Sequence, residues 1–87
     1  MRKNRDRVRI VADLLEAAGS GSGKTKIMFG ANLSFKLLEK YLDTAVNADF
    51  VEANGSGYEL TKHGEVFLDK YRHFRSEFPR FKRPLMM

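Results

Sequence analysis

The segment "KTKIMFGANLSFKLLEKYLDTAV", residues 24–46, carries a helical periodicity that stops and restarts within a few residues. A short first helix is predicted from about residue 24 to residue 29 or 31, burying Ile27 and Met28. Gly30, Ala31 and Asn32 supply its stop. Ser34 suits the N-cap of the next helix, because its side-chain oxygen can accept from a backbone N–H of the first turn. That second helix, from residue 35 to about 47, presents Leu38, Tyr41, Leu42, Ala45 and Val46 inward and Lys36, Glu39, Lys40, Asp43 and Thr44 outward. Two short helices meeting through a tight turn, with the apolar Leu33 inside it, have the anatomy of a helix-turn-helix.

Downstream, "FVEANGSGYELT" (residues 50–61) alternates, turns and alternates again. Val51 and Ala53 lie on one arm and Tyr58 and Leu60 on the other, with a four-residue loop, Asn54-Gly55-Ser56-Gly57, between them. A helix-turn-helix followed at once by a hairpin is a winged helix, with the hairpin tip as the wing. Thr61 then caps a last helix whose aromatic positions, Phe67, Tyr71, Phe74, Phe78 and Phe81, are spaced 4, 3, 4 and 3. Pro79 ends that helix near residue 77 or 78. Phe67 and Tyr71 can pack on their own core, whereas aromatics beyond them suggest a partner, most simply a second copy of the chain.

Upstream, "RDRVRIVADLLEAA" (residues 5–18) shows rows at Val8, Val11, Leu15 and Ala18 and at Ile10, Leu14 and Ala17, the stripe of an amphipathic helix. Asn4 is the expected N-cap and Gly19 the stop. Arg2, Arg5 and Arg9 would share one face if the helix extended back to them, either along a phosphate backbone or in solvent. The expected architecture is mainly α with a small β-hairpin: a winged helix-turn-helix over residues 1–78 with a C-terminal dimerisation helix at about 62–78, followed by a basic tail, 79–87.

Between the first two helices, "AGSGSGKTK" (residues 18–26) imitates a phosphate-binding loop. Such a loop must follow a buried strand, so that strand end and helix start together aim N–H groups at the phosphates. Here it follows a helical pattern, Ala18 stands where the first glycine belongs, and 87 residues leave little room for the repeated βαβ units of an NTPase. No nucleotide cofactor is expected, and residues 19–23 read as a flexible connector.

Composition sets further bounds. With no cysteine there are no disulfides, thiolate metal sites or cysteine nucleophiles. No apolar run approaches the length of a membrane span, and the basic N-terminus lacks the apolar stretch of a signal peptide, so a cytoplasmic, nucleoid-associated protein is expected. His63 and His73 stand alone, no metal is expected, and no catalytic constellation is visible. The net charge of +5 is unevenly spread: +4 over residues 1–9, −4 over 10–69 and +5 from Lys70 onward. Basic ends of this kind suit a polyanion such as nucleic acid; the lesser alternative is a solvated surface that maintains solubility.

The run from Lys24 to Tyr71 resembles small archaeal winged-helix proteins described as ArnR-like transcriptional regulators, and their relatives among crenarchaeal chromatin proteins. The resemblance rests on Lys24 to Ile27, on Ala31 to Phe35, on Leu38, Lys40, Tyr41 and Leu42, and on Leu60, Thr61 and Gly64. It implies binding to double-stranded DNA, a homodimer formed through the last helix, and a transcriptional or chromatin role. The chain departs from the chromatin type, whose C-terminal helix is long, in that Pro79 and Pro84 shorten it.

A helix-turn-helix leads into the major groove with the start of its second helix. Asn32, Ser34, Phe35 and Lys36, with Lys40 one turn on, are therefore the expected DNA contacts. Lys24 and Lys26 at the start of the short helix suit phosphates. Asn54 and Ser56 at the wing tip can reach the backbone or the minor groove, or serve simple turn chemistry. Lysines lack the bidentate fork of arginine, so sequence selectivity should be modest. Glu39 can accept from cytosine or pair with a lysine. The alternative function is a protein-interaction module that uses the aromatic seam.

Overall fold

Asp6 starts the first helix. Its carboxylate accepts from the Arg9 N–H at 2.8 Å, so α1 spans Arg7–Ala18 and does not extend back to Arg5. The expected cap, Asn4, lies outside the residues described by this computed structural model, which are 5–19 and 21–77. The order then runs α2 (Lys24–Ala31), α3 (Phe35–Asn47), β1 (Val51–Asn54), β2 (Gly57–Leu60) and α4 (Lys62–Glu77). Arg2, Phe78, Pro79, Phe81 and the basic tail, all named above, also fall outside the described residues.

One apolar cluster holds the elements together. Leu14 and Leu15 of α1, Ile27 of α2, Leu38 of α3 and Val51 of β1 are fully buried at its centre, and Leu68 joins from α4. The helical stripes put these side chains on one face of each helix, where burial stabilises by about 1.5–3 kcal/mol per large side chain. Two residues expected inside are not: Val8 is 49% and Val46 42% exposed. Each sits at the edge of its stripe. Met28 packs only partly against the core.

The turn between α2 and α3 is built as the residue types require. Asn32 takes the left-handed conformation (φ 57, ψ 55), and the N–H groups of Asn32 and Leu33 return to Phe29 and Met28 carbonyls. Leu33 is buried, and the Ser34 hydroxyl accepts from the Leu37 N–H at 3.2 Å. A second left-handed residue, Asp49 (φ 65), ends α3 and directs the chain into the hairpin.

The wing differs from expectation in two ways. Its register pairs Asn54 with Gly57, so the loop is the two residues Gly55 and Ser56 rather than four. Gly55 has φ 64, the positive value required at the first central position of a type II′ hairpin turn. The stretch before α2 is not a loose connector. Ser22 forms an antiparallel bridge with Tyr58, exchanging hydrogen bonds of 3.0 and 2.8 Å, and the Leu60 N–H donates to the Gly19 carbonyl at 3.2 Å. The glycine-rich run thus supplies a short third edge to the hairpin, which satisfies backbone groups that β2 would otherwise leave unpaired.

Helix α4 is fixed at its start. The Thr61 hydroxyl donates to the Asp49 carbonyl at 2.6 Å and accepts from the Gly64 N–H at 2.9 Å, while the Thr61 N–H donates to the Phe50 carbonyl. Phe50 stacks on Phe67 with ring centroids 4.6 Å apart and meets His63 edge-on. Further along, Arg72 pairs with Glu16 and ties α4 to α1.

Candidate nucleic-acid interface

The outward surface of α3 begins at Phe35, immediately after the Ser34 cap. With Leu38, Tyr41, Leu42 and Ala45 turned into the core, a period of 3.6 residues places Lys36, Lys40, Asp43 and Asn47 along the opposite ridge. All four are exposed. Phe35 and Leu37 fall to either side of Lys36 and are 61% and 39% exposed. The Lys40 ammonium leans back over the Tyr41 ring, 5.4 Å from its centroid.

The other predicted residues are placed unequally. Lys24 and Lys26 are exposed at the start of α2, Asn32 and Ser34 in the turn at its other end, and Asn54 and Ser56 at the wing tip. Lys24 is engaged: its ammonium donates to a Glu39 carboxylate oxygen at 2.8 Å, bridging the start of α2 to the middle of α3. That hydrogen bond first, and the charge of Glu39 second, raise the Lys24 ammonium above its ordinary value. Glu39 therefore pairs with a lysine from another helix. Among the described residues no carboxylate pairs with Lys26, Lys36 or Lys40.

Arg5 precedes α1, yet it converges with Arg9 on the same Asp13 carboxylate oxygen rather than lying free along a helix face. One terminal nitrogen donates to Asp13 at 2.8 Å and to the Ala31 carbonyl at 2.9 Å, and the other donates to the Asn32 carbonyl at 2.8 Å. The guanidinium thus satisfies carbonyls at the C-terminal end of α2, where a cation is electrostatically favoured. Periodicity could not reveal this role, because the partners lie 8, 26 and 27 residues away. Arg9 remains half exposed, 3.8 Å from Asp13.

Between them, α1 and α4 enclose a groove of about 770 Å³ lined by Val8, Phe67, Tyr71 and Phe74 and rimmed by Arg5, Arg9, Lys70 and Arg75. Phe67 and Tyr71 are half-buried against the core, and Phe74 is 57% exposed. Among the described residues no group of three or more His, Asp or Glu side chains is arranged to hold a metal ion, and no helix is long and apolar enough to cross a membrane.

Residues 4–78 match the family model described as winged helix-turn-helix. The chain belongs to that family. Over 77 residues, 86% of the chain, this winged helix-turn-helix protein is 34% identical to an uncharacterized protein of Methanocaldococcus jannaschii, of which it covers 36%. A second uncharacterized protein of the same organism is 31% identical over 65 residues, which is 74% of the chain and 67% of the relative. The chain thus spans about a third of the first relative and about two thirds of the second. Among solved structures, Sso10a-2, a DNA-binding protein from Sulfolobus solfataricus, superposes with a TM-score of 0.74 at 21% identity, covering 94% of each chain. At that identity the likeness concerns the fold.

Proposed function

We propose that this winged helix-turn-helix protein binds double-stranded DNA, with the first two turns of α3 in the major groove and the wing beside the phosphate backbone. The observation that carries the reading is the exposed ridge of Lys36 and Lys40 at the start of α3, free of carboxylate partners among the described residues. A cationic ridge on a helix that presents its N-terminal turn to solvent has the form of a recognition helix. The DNA-binding character of the superposing Sulfolobus protein supports the same reading.

Within it, Lys24, Lys26, Asn32, Ser34, Asn54 and Ser56 serve as backbone contacts beside the groove, and the basic ends add sequence-independent attraction. The chain acts as a homodimer through α4, a reading supported by the apolar groove at Val8, Phe67, Tyr71 and Phe74. The resemblance to ArnR-like regulators and chromatin proteins favours a transcriptional or architectural role in the cytoplasm, associated with the nucleoid. The same groove favours a second reading, a protein-interaction module in which α4 is the working surface.

A titration of duplex DNA at several salt concentrations, with complex mass measured alongside, tests the proposal. Lys36→Ala with Lys40→Ala is expected to weaken binding and flatten the salt slope by about 0.9 per lost phosphate contact. Binding unchanged in that variant moves the site off α3. No binding even at low salt favours the protein-interaction reading.

A further inference from the structure

Exposed apolar side chains gather where the recognition helix begins. Phe29 (74% exposed) precedes the α2–α3 turn, and Phe35 and Leu37 follow it. None of the three is among the partly buried residues that pack against the core. A phenylalanine at the first position of a helix, one residue after the cap, gains nothing from the fold when its ring stands in water. Its surroundings are cationic: Lys36 lies between Phe35 and Leu37, Lys40 is one turn on, and the nearby Glu39 is neutralised by Lys24. Asp43 limits the cationic stretch to the first two turns.

An exposed apolar ring at the edge of a cationic ridge fits a polyanion that carries methyl groups on its surface. In the major groove of duplex DNA, thymine alone among the four bases presents one, its C5-methyl, and apolar side chains recognise it. The lysines supply charge and reach guanine or phosphate without distinguishing an A·T from a T·A pair. We infer that Phe35 reads thymine methyl groups and gives this chain a preference for thymine-containing steps. The inference rests on the duplex-binding reading and names the base chemistry of the same site. Phe29 sits on α2, which crosses the backbone in a helix-turn-helix rather than entering the groove, so the role falls to Phe35.

The experiment compares two 20-base-pair duplexes of identical A·T sequence, one with thymine and one with deoxyuridine, which lacks only the methyl group. Fluorescence anisotropy is read on the full chain, on Phe35→Ala and on Lys36→Ala with Lys40→Ala. The native chain is expected to bind the thymine duplex about fourfold more tightly for each methyl covered. In Phe35→Ala the ratio falls towards one while the salt slope is kept. Phe35→Leu restores part of the preference. Circular dichroism checks that each variant is folded, which the exposure of Phe35 favours.

Equal affinity of the native chain for both duplexes, with both weakened by the lysine substitutions, overturns thymine reading and leaves duplex binding intact. A preference that persists undiminished in Phe35→Ala also overturns it, because the discrimination then comes from duplex shape. Absence of binding to either duplex at low salt overturns both readings together.

Discussion

Arg5 donates to the Asn32 carbonyl at 2.8 Å, so a residue ahead of α1 holds the turn that orients α2 against α3. Bonds of the same guanidinium to Ala31 and Asp13 complete a clamp. Charge-assisted hydrogen bonds of this kind contribute about 1.5–3 kcal/mol each at best, and partial exposure reduces that. Arg5→Ala is expected to lower stability by about 1–3 kcal/mol in urea denaturation, and Arg5→Lys to recover only part, because a single ammonium cannot fork to several oxygens. A phosphate contact at Arg5 would behave differently, flattening the salt slope of duplex binding at unchanged stability.

Gly64 lies in the first turn of α4 against the backbone of Phe50, and a Cβ there would collide with the Phe50 carbonyl oxygen. That carbonyl already accepts from the Thr61 N–H, so it cannot move without releasing the cap. Gly→Ala inside a helix ordinarily stabilises by up to about 1 kcal/mol. Here the sign reverses: Gly64→Ala is expected to destabilise by roughly 3 kcal/mol, the scale of severe overpacking. Thermal unfolding followed by circular dichroism reads the sign directly.

Gly57 makes a comparable close approach at the wing, where an added Cβ would sit 2.8 Å from the Ser22 carbonyl oxygen. Gly57→Ala should push the glycine-rich edge strand off β2 at a cost of about 1–3 kcal/mol. The expected signature is local: amide exchange at Ser22 and Tyr58, which hydrogen-bond each other, accelerates more than exchange at the fully buried Leu38.

The elements were legible because their signals are local. Leu38, Tyr41, Leu42 and Ala45 repeat at helical spacing, Ser34 and Thr61 are cap residues, and Gly55 sits where a hairpin turns. What escaped was pairing between segments far apart in the chain. Residues 19–23 look like a linker because Gly and Ser carry no apolar alternation, yet backbone hydrogen bonds alone bridge Ser22 to Tyr58 of β2. Arg5 looked like one of three equivalent arginines until the end of α2 came within its reach. On α3 the helical period placed Lys36 and Lys40 outward, where they are exposed, whereas the Lys24–Glu39 bridge spans 15 residues and obeys no period.

That bridge bears on the proposed duplex binding. While Glu39 holds Lys24, its ammonium is partly withdrawn from phosphate, so Glu39→Gln is expected to tighten duplex binding by up to about fivefold at low salt and to steepen the salt slope by about 0.9. The pairing raises Lys24 above its ordinary 10.5. A raised folded value means that the pair's contribution is fully present below 10.5 and is lost as pH rises through the raised value. Any stability difference between the native chain and Glu39→Gln that arises from Lys24 should therefore persist at neutral pH and close only in alkali.

Asp43 stands on the same ridge as Lys36 and Lys40, about two turns from the start of α3, and among the described residues it has only a long 3.5 Å contact from the Asn47 side chain. A carboxylate facing a duplex repels phosphate, and this repulsion should fix how far along α3 the DNA can lie. Asp43→Asn keeps the side-chain shape and removes the charge, so stability should change by no more than about 0.5 kcal/mol. Duplex affinity should rise severalfold at low salt, with the gain shrinking as the Debye length falls from about 30 Å at 0.01 M to about 10 Å at 0.1 M. The gain should be equal for thymine and deoxyuridine duplexes, since Asp43 addresses charge and not the methyl group. Anisotropy titrations at these two salt concentrations measure it, and an affinity unmoved at low salt would place the DNA away from the Asp43 end of α3.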